Sequence, residues 1–86
     1  MRSSHHTIVI TYPCRWRYRV IGSNEDRMRQ AIDDVMPSRP YDVHLSNRSS
    51  QGAYLSLNVE VTVSDETDRL GLFGKLKRHP DIRLVL

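Results

Sequence analysis

Three arginines at alternating positions are the residues of this chain best suited to binding an anion. Arg15, Arg17 and Arg19 are separated by Trp16 and Tyr18. In an extended strand the arginines would therefore share one face and the aromatic rings the other. Guanidinium groups match carboxylates and phosphates, which makes this arginine column a candidate anion-binding surface. The alternative interpretation is an ordinary exposed sheet face, on which arginine stems cover apolar surface and the charged groups pair with acids or contact water.

The turn Gly22-Ser23-Asn24 is a second candidate site. It follows the basic segment and precedes a predicted helix, whose first backbone amides have no partner within the helix. Such amides can accept a carboxylate or phosphate. Every helix has a start of this kind, so simple capping by Ser23 is the alternative interpretation.

The sequence offers little support for catalysis or metal binding. Cys14 is the single cysteine, so no disulfide can form within the chain, and no histidine is spaced to activate its thiol. The chain has four histidines: His5, His6, His44 and His79. Their spacing is not that of metal ligands, and no phosphate-binding glycine motif is present. We therefore expect no enzymatic activity, no metal and no cofactor.

Length and composition favour one small domain. The chain has 86 residues, 38% of them hydrophobic, and a net charge of +3 from thirteen basic and ten acidic side chains. So small an excess does not by itself indicate a polyanionic partner. No apolar run approaches the roughly 18 residues of a membrane-spanning helix, and no signal-peptide core follows the first residues. We expect a soluble, cytoplasmic protein.

The hydrophobic periodicity predicts the order strand, helix, strand, strand, helix, strand. The strands are expected over residues 15–21, 42–47, 54–63 and 81–86. The first helix is expected from Ser23, which forms a variant capping box with Asp26, to about Val35, and the second follows a cap at Ser64 or Asp65. This order favours an α+β ferredoxin-like βαββαβ sandwich with a four-stranded antiparallel sheet, two helices on one face and the first and third strands at the centre.

The same periodicity predicts which side chains face the core. They are Trp16, Tyr18, Val20, Met28, Ala31, Ile32, Val35, Met36, Val43, Leu45, Leu55, Leu57, Val59, Val61, Val63, Leu70, Phe73, Leu76, Ile82, Leu84 and Leu86. Residues 1–11 are predicted to be an N-terminal extension, either flexible or an additional edge strand built on the β-branched run Thr7–Thr11. Residues 12–86 are predicted to form the domain.

Three motifs together resemble those of the YbeD-like family of small bacterial proteins. They are Tyr12–Gly22, Ser49–Tyr54 before a long alternating strand, and Asp81–Leu86. The resemblance implies a ferredoxin-like fold similar to ACT regulatory domains, in cytoplasmic proteins described as lipoic acid-binding regulators. It implies no catalytic residues. The chain departs from the family pattern in its first eleven residues and in its proline-containing connection Met36–Pro40.

Two functions from different classes remain open. The first is a non-enzymatic, ACT-like regulatory module that binds a small carboxylate or a partner protein, through either the Gly22-Ser23-Asn24 turn or the arginine column; the resemblance links it to lipoate metabolism. A homodimer is expected with it, since an exposed strand edge needs covering. The second is a nucleic-acid-binding module that uses the arginine column, although the paired stacking aromatics of an RNA-binding sheet are missing.

Overall fold

The computed structural model of the chain describes residues 9–49 and 51–86. Its elements are β1 (Cys14–Gly22), α1 (Glu25–Val35), β2 (Tyr41–Arg48), β3 (Leu55–Val63), α2 (Glu66–Arg78) and β4 (Leu84–Val85). The strands form one antiparallel sheet in the order β2-β3-β1-β4, and both helices share one core with its inner face. This confirms the predicted ferredoxin-like architecture. Residues 9–11 belong to no strand, and the remainder of the run Thr7–Thr11 lies outside the described residues.

The central pair of strands confirms the predicted two-residue alternation. Every residue of β1 pairs with one of β3, from Cys14 opposite Val63 to Gly22 opposite Leu55. All five predicted core residues of β3 are buried, and so are Tyr18 and Val20 of β1. Because residues directly opposite each other share a face, the arginine column lies on the other face of the sheet.

Helix α1 buries the predicted stripe, but its cap lies one residue later than expected. Met28, Ala31 and Ile32 are fully buried. The prediction that Ser23 caps the helix is wrong, because Asn24 Oδ1 accepts the N–H of Arg27 at 2.9 Å. The side chain that caps a helix must reach the second or third helical amide, and here the asparagine adjoining the helix does so.

Helix α2 is rotated relative to the prediction. Asp65 is the cap, as expected, but the buried residues are Leu72 and Leu76, Phe73 is half-buried and Leu70 is 52% exposed. Apolar residues occupy both sides of this helix, so periodicity alone left two overlapping stripes.

The two edge strands also depart from the predicted pattern. Leu45 of β2 is 46% exposed at the margin of the sheet. In β4 the buried residue is Val85, which lies opposite Val20, whereas Leu84 and Leu86 are exposed. Ile82 is buried as predicted, but it precedes the two-residue strand. Strand alternation therefore does not extend from Ile82 into β4.

Candidate functional site

The arginine column is partly neutralised by neighbouring carboxylates. Arg15 forms an ion pair with Asp42 of β2. The Nε and Nη2 atoms of Arg17 donate to Glu60 Oε2 at 3.0 and 2.7 Å, and this contact lowers the pKa of Glu60. Within residues 9–49 and 51–86, Arg19 forms no ion pair. Two of the three guanidinium groups thus have a carboxylate partner inside the protein.

The Gly22-Ser23-Asn24 turn is packed tightly between two parts of the fold. Gly22 is buried, and a Cβ atom at this position would lie 2.8 Å from Met28 Sδ and 3.0 Å from the carbonyl oxygen of Asp81. The glycine therefore allows the end of β1 to approach both α1 and the α2–β4 connection closely.

Ser23 and Asn24 line a cleft of about 330 Å³, which we call the turn cleft. Its other lining residues are Arg27, Pro80, Asp81 and Arg83. The fold thus joins the predicted turn to a basic residue of α1 and to the segment that leads into β4. The arginine column does not line this cleft, so the two anion sites predicted from the sequence are separate surfaces.

The charges of the turn cleft suit a small anion. Arg27 and Arg83 form no ion pair with any residue of the described ranges. The guanidinium carbon of Arg83 lies 5.4 Å from the ring centroid of Tyr54, which is not one of the lining residues. The N-terminal end of α1 adds a partial positive charge. Asp81 is the one acidic residue of the lining.

Sequence reasoning missed the two arginines of the turn cleft. Arg27 occupies an ordinary exposed position of an amphipathic helix and Arg83 lies in the last predicted strand, so neither was among the predicted site residues. Neither has a local signal, because the cleft forms only when the α2–β4 connection packs against the start of α1.

A second polar cluster, between the end of α1 and the start of α2, is already satisfied internally. Arg39 donates to both carboxylate oxygens of Asp68, which also accepts the N–H of Ser64. These hydrogen bonds lower the pKa of Asp68 from 3.8 to about 2. The Asp68 carboxylate is therefore ionised at neutral pH and is held as a structural group.

No three histidine, cysteine or acidic side chains in the described part of the chain are grouped so as to hold a metal ion. Neither of its helices has the length and apolar character needed to cross a membrane. Cys14 is a half-buried free thiol.

Comparison with known proteins identifies relatives along nearly the whole chain. The family model described as "Protein of unknown function (DUF493)" matches residues 8–86. The uncharacterized protein Cj0253 of Campylobacter jejuni is 35% identical over 68 residues, which cover 79% of this chain and 78% of that protein. The UPF0250 protein NE1487 of Nitrosomonas europaea is 28% identical, with coverage of 91% and 94%.

A solved structure agrees with the fold. The solution structure of protein HP0495 from Helicobacter pylori superposes with a TM-score of 0.81 at 30% sequence identity, covering all of this chain and 94% of that one. The family match, the identity and the shared fold confirm the resemblance found in the sequence motifs. The chain therefore belongs to the DUF493 family of small bacterial proteins, which has UPF0250 (YbeD-like) members.

Proposed function

We propose that this protein is a non-enzymatic regulatory module that binds a small carboxylate in the turn cleft. The observation that carries the proposal is that Arg27 and Arg83, which form no ion pair within residues 9–49 and 51–86, both line one cleft beside the N-terminus of a helix. A bound carboxylate would accept hydrogen bonds from either guanidinium group. Arg17, in contrast, already has its carboxylate in Glu60.

The position of the turn cleft suits regulation. Its lining comes from the start of α1 and from the connection into β4, so an occupant would hold these two segments together. Such a ligand stabilises whichever arrangement of the two segments binds it better. This is the physical basis for the ACT-like regulatory role that the family resemblance suggests, in a cytoplasmic protein whose single thiol fits a reducing compartment.

Asp81 affects which kind of carboxylate compound the turn cleft can bind. A simple fatty acid offers nothing to this carboxylate, whereas a molecule with an ammonium group next to its carboxylate could pair with Asp81 and an arginine together. Lipoate and octanoate, to which the family resemblance points, represent the first class. Free α-amino acids represent the second.

Thermal unfolding with each compound tests the proposal. A ligand at 100 times its dissociation constant adds about 2.7 kcal/mol to the free energy of unfolding, which raises the melting temperature of a domain of this size by roughly 10–20 °C. We expect lipoate, octanoate or an amino acid to do so, and we expect Arg27→Gln and Arg83→Gln to weaken the shift.

The matched control is the double variant Arg17→Gln and Arg19→Gln, in the arginine column. Loss of the shift in this control, with the cleft variants unaffected, would assign the anion to the sheet face and contradict the cleft. No shift with any compound of the panel would contradict carboxylate binding altogether.

One observation favours the nucleic-acid alternative. Tyr54 is 42% exposed and lies under Arg83, an arrangement that could stack a base, while Arg19 remains available for a phosphate. The pairing of Arg15 and Arg17 with internal carboxylates counts against it. The alternative predicts retention of single-stranded RNA that falls steeply with salt and is abolished by Arg17→Glu combined with Arg19→Glu. Unchanged retention in that variant would reject it.

A further inference from the structure

Among the described residues, the sheet is incomplete on one side of β1. β4 pairs only with Val20 and Ile21, and beyond it Leu86 exchanges two backbone hydrogen bonds with Arg19, at 3.0 and 2.8 Å. Within residues 9–49 and 51–86, no strand covers this side of the preceding segment Cys14–Tyr18. We call that segment, on its β4 side, the open edge. At the usual rise of a strand it is roughly 17 Å long.

The open edge presents backbone groups that can pair with another strand. Groups directed to the β4 side come from alternate residues, as Arg19 and Ile21 demonstrate by bonding to Leu86 and Arg83. The same alternation directs the N–H and C=O groups of Arg15 and Arg17 to the open edge. Unpaired edges of this kind are templates for strand addition.

An apolar groove of about 300 Å³ runs beneath the open edge on the helix side of the sheet. Its lining residues are Trp16, Tyr18, Arg69, Leu70, Phe73 and Leu86. Leu70, at 52% exposure, is an accessible apolar residue of this lining. Two contacts fix one wall: the Tyr18 hydroxyl donates to the carbonyl oxygen of Arg69 at 2.7 Å, and the Arg69 guanidinium lies 4.6 Å from the Trp16 ring centroid. The groove is therefore preformed.

We propose that the open edge is a docking site for an extended segment of another protein in which apolar and acidic residues alternate. Residues opposite Trp16 and Tyr18 would point into the groove, because directly opposed residues share a face of the sheet. Residues opposite Arg15 and Arg17 would lie on the arginine side. The three arginines of that face outnumber the two carboxylates paired with them, Asp42 and Glu60, and the side chains of Arg15 and Arg17 are 47% and 62% exposed, so acidic groups are favoured there. Main-chain hydrogen bonds supply affinity in this mode of recognition, and the alternate side chains supply specificity.

The positive charge of the arginine column favours an acidic segment over two other possible occupants, a second copy of the open edge and residues 1–8. Pairing of the open edge with a second copy of itself would bring two arginine columns together, each with three arginines against two internal carboxylates. Such an excess of like charge across a strand pair is destabilising. Residues 1–8 of this chain, Met-Arg-Ser-Ser-His-His-Thr-Ile, contain no acidic side chain. An acidic partner segment is the occupant that complements both faces of the edge.

Titration of the full chain with short peptides tests the proposal, with the fluorescence of Trp16, the single tryptophan, as the readout. The probe is an acetylated and amidated Val-Glu-Val-Glu-Val peptide, whose glutamates fall opposite Arg15 and Arg17. We expect Val-Lys-Val-Lys-Val and the rearranged Glu-Glu-Val-Val-Val to bind at least about tenfold more weakly.

N-methylation of the two glutamate amides should abolish binding, since these amides face β1, whereas N-methylation of the central valine, whose amide faces away, should be tolerated.

Two exposed leucines give a matched pair of variants. Leu70→Asp, in the groove, should weaken binding of the Val-Glu-Val-Glu-Val peptide about tenfold or more, because it removes apolar contact and adds a negative charge. Leu45→Asp, at a similarly exposed site on β2, should leave binding unchanged. Because both side chains are about half exposed, neither change threatens folding.

Three outcomes would overturn the proposal. One is equal binding of the alternating and rearranged peptides. The second is protection of the Arg15 and Arg17 amides from hydrogen exchange in the free monomer, which would mean that residues 1–8 already cover the edge. The third is sedimentation as a dimer that Leu70→Asp dissociates, which would assign the edge to a second copy.

Discussion

Arg39, in the connection between α1 and β2, donates two parallel hydrogen bonds to Asp68 of α2, with lengths of 3.0 and 2.9 Å. The same guanidinium contacts the carbonyl oxygen of Thr62 at 3.3 Å. The arginine thus joins the proline-containing connection to both the second helix and the end of β3. Its side chain is 35% exposed and that of Asp68 is 17% exposed, so solvent screens this pair less than the ion pairs of the sheet face.

Removing this arginine should destabilise the domain measurably. We expect Arg39→Ala to lower the free energy of unfolding by about 1–2 kcal/mol, because a partly buried carboxylate loses both of its charge-assisted hydrogen bonds. The control is Arg29→Ala, which removes an exposed ion pair to Glu25 within α1 and should cost about 0.5 kcal/mol or less. Urea denaturation of both variants measures the difference, and equal losses would contradict the special role of Arg39.

The stabilisation due to Asp68 should depend on pH in the acid range. Its pKa is about 2 in the folded protein against an ordinary value of 3.8. A lowered pKa in the folded state means that the stabilisation is fully present above about pH 4 and is lost as the pH falls toward about 2. The loss of unfolding free energy caused by Asp68→Asn should therefore become smaller as the pH falls from about 4 to about 2. Urea denaturation at each pH measures this loss. Asp26→Asn, at an exposed site of α1, is the control, and a cost independent of pH for Asp68→Asn would refute the assignment.

Two glycines should respond to alanine in opposite directions. Gly22→Ala should destabilise by about 1–3 kcal/mol, because the new methyl group meets Met28 and the Asp81 backbone. Gly71→Ala should stabilise by about 0.5–1 kcal/mol, since nothing lies within 4 Å of the new atom and alanine is the better helix former. Thermal unfolding of the two variants provides the check, and a neutral Gly22→Ala would mean that the end of β1 is not packed closely at the turn cleft.

The cap of α1 should belong to Asn24 alone. Asn24→Ala removes the acceptor of the Arg27 amide and should cost about 1 kcal/mol. Ser23→Ala, one residue earlier and exposed, should change the free energy of unfolding by less than about 0.5 kcal/mol. The reverse order of these two costs would restore the capping box expected from the sequence.

Local pattern predicted the strands of the centre better than those of the margins. In β1 and β3 the alternation of side chains agreed with burial at Tyr18 and Val59, because the two strands pair with each other along the whole of β1 and their inner face packs against both helices. In β4 the expected position of Leu84 was wrong, because two paired residues are too few to carry the alternation of the segment before them. The burial of Leu70 in α2 was also ambiguous, since this helix has two overlapping apolar stripes and only its packing against the sheet determines which stripe is buried.

The candidate site shows the same division. Periodicity placed the arginine column on one face, and helix-start chemistry singled out the segment from Gly22 to Asn24. Neither argument predicted that Arg27 and Arg83 would line one cleft, because the two residues belong to distant parts of the chain and neither position has a local signature. The partners of Arg39 could not be predicted either, since an arginine in a connection between two prolines has no local feature that indicates an ion pair.

The order of the elements, the family and the inward faces of β1 and β3 could be predicted from the chain alone, because these depend on side-chain period and on motifs within a few residues of one another. Three-dimensional packing was needed to show which charges are neutralised, which leucines stay exposed and where, among the described residues, β4 leaves β1 without a partner. Those features depend on distances between segments far apart in the chain, which are set when the helices pack against the sheet.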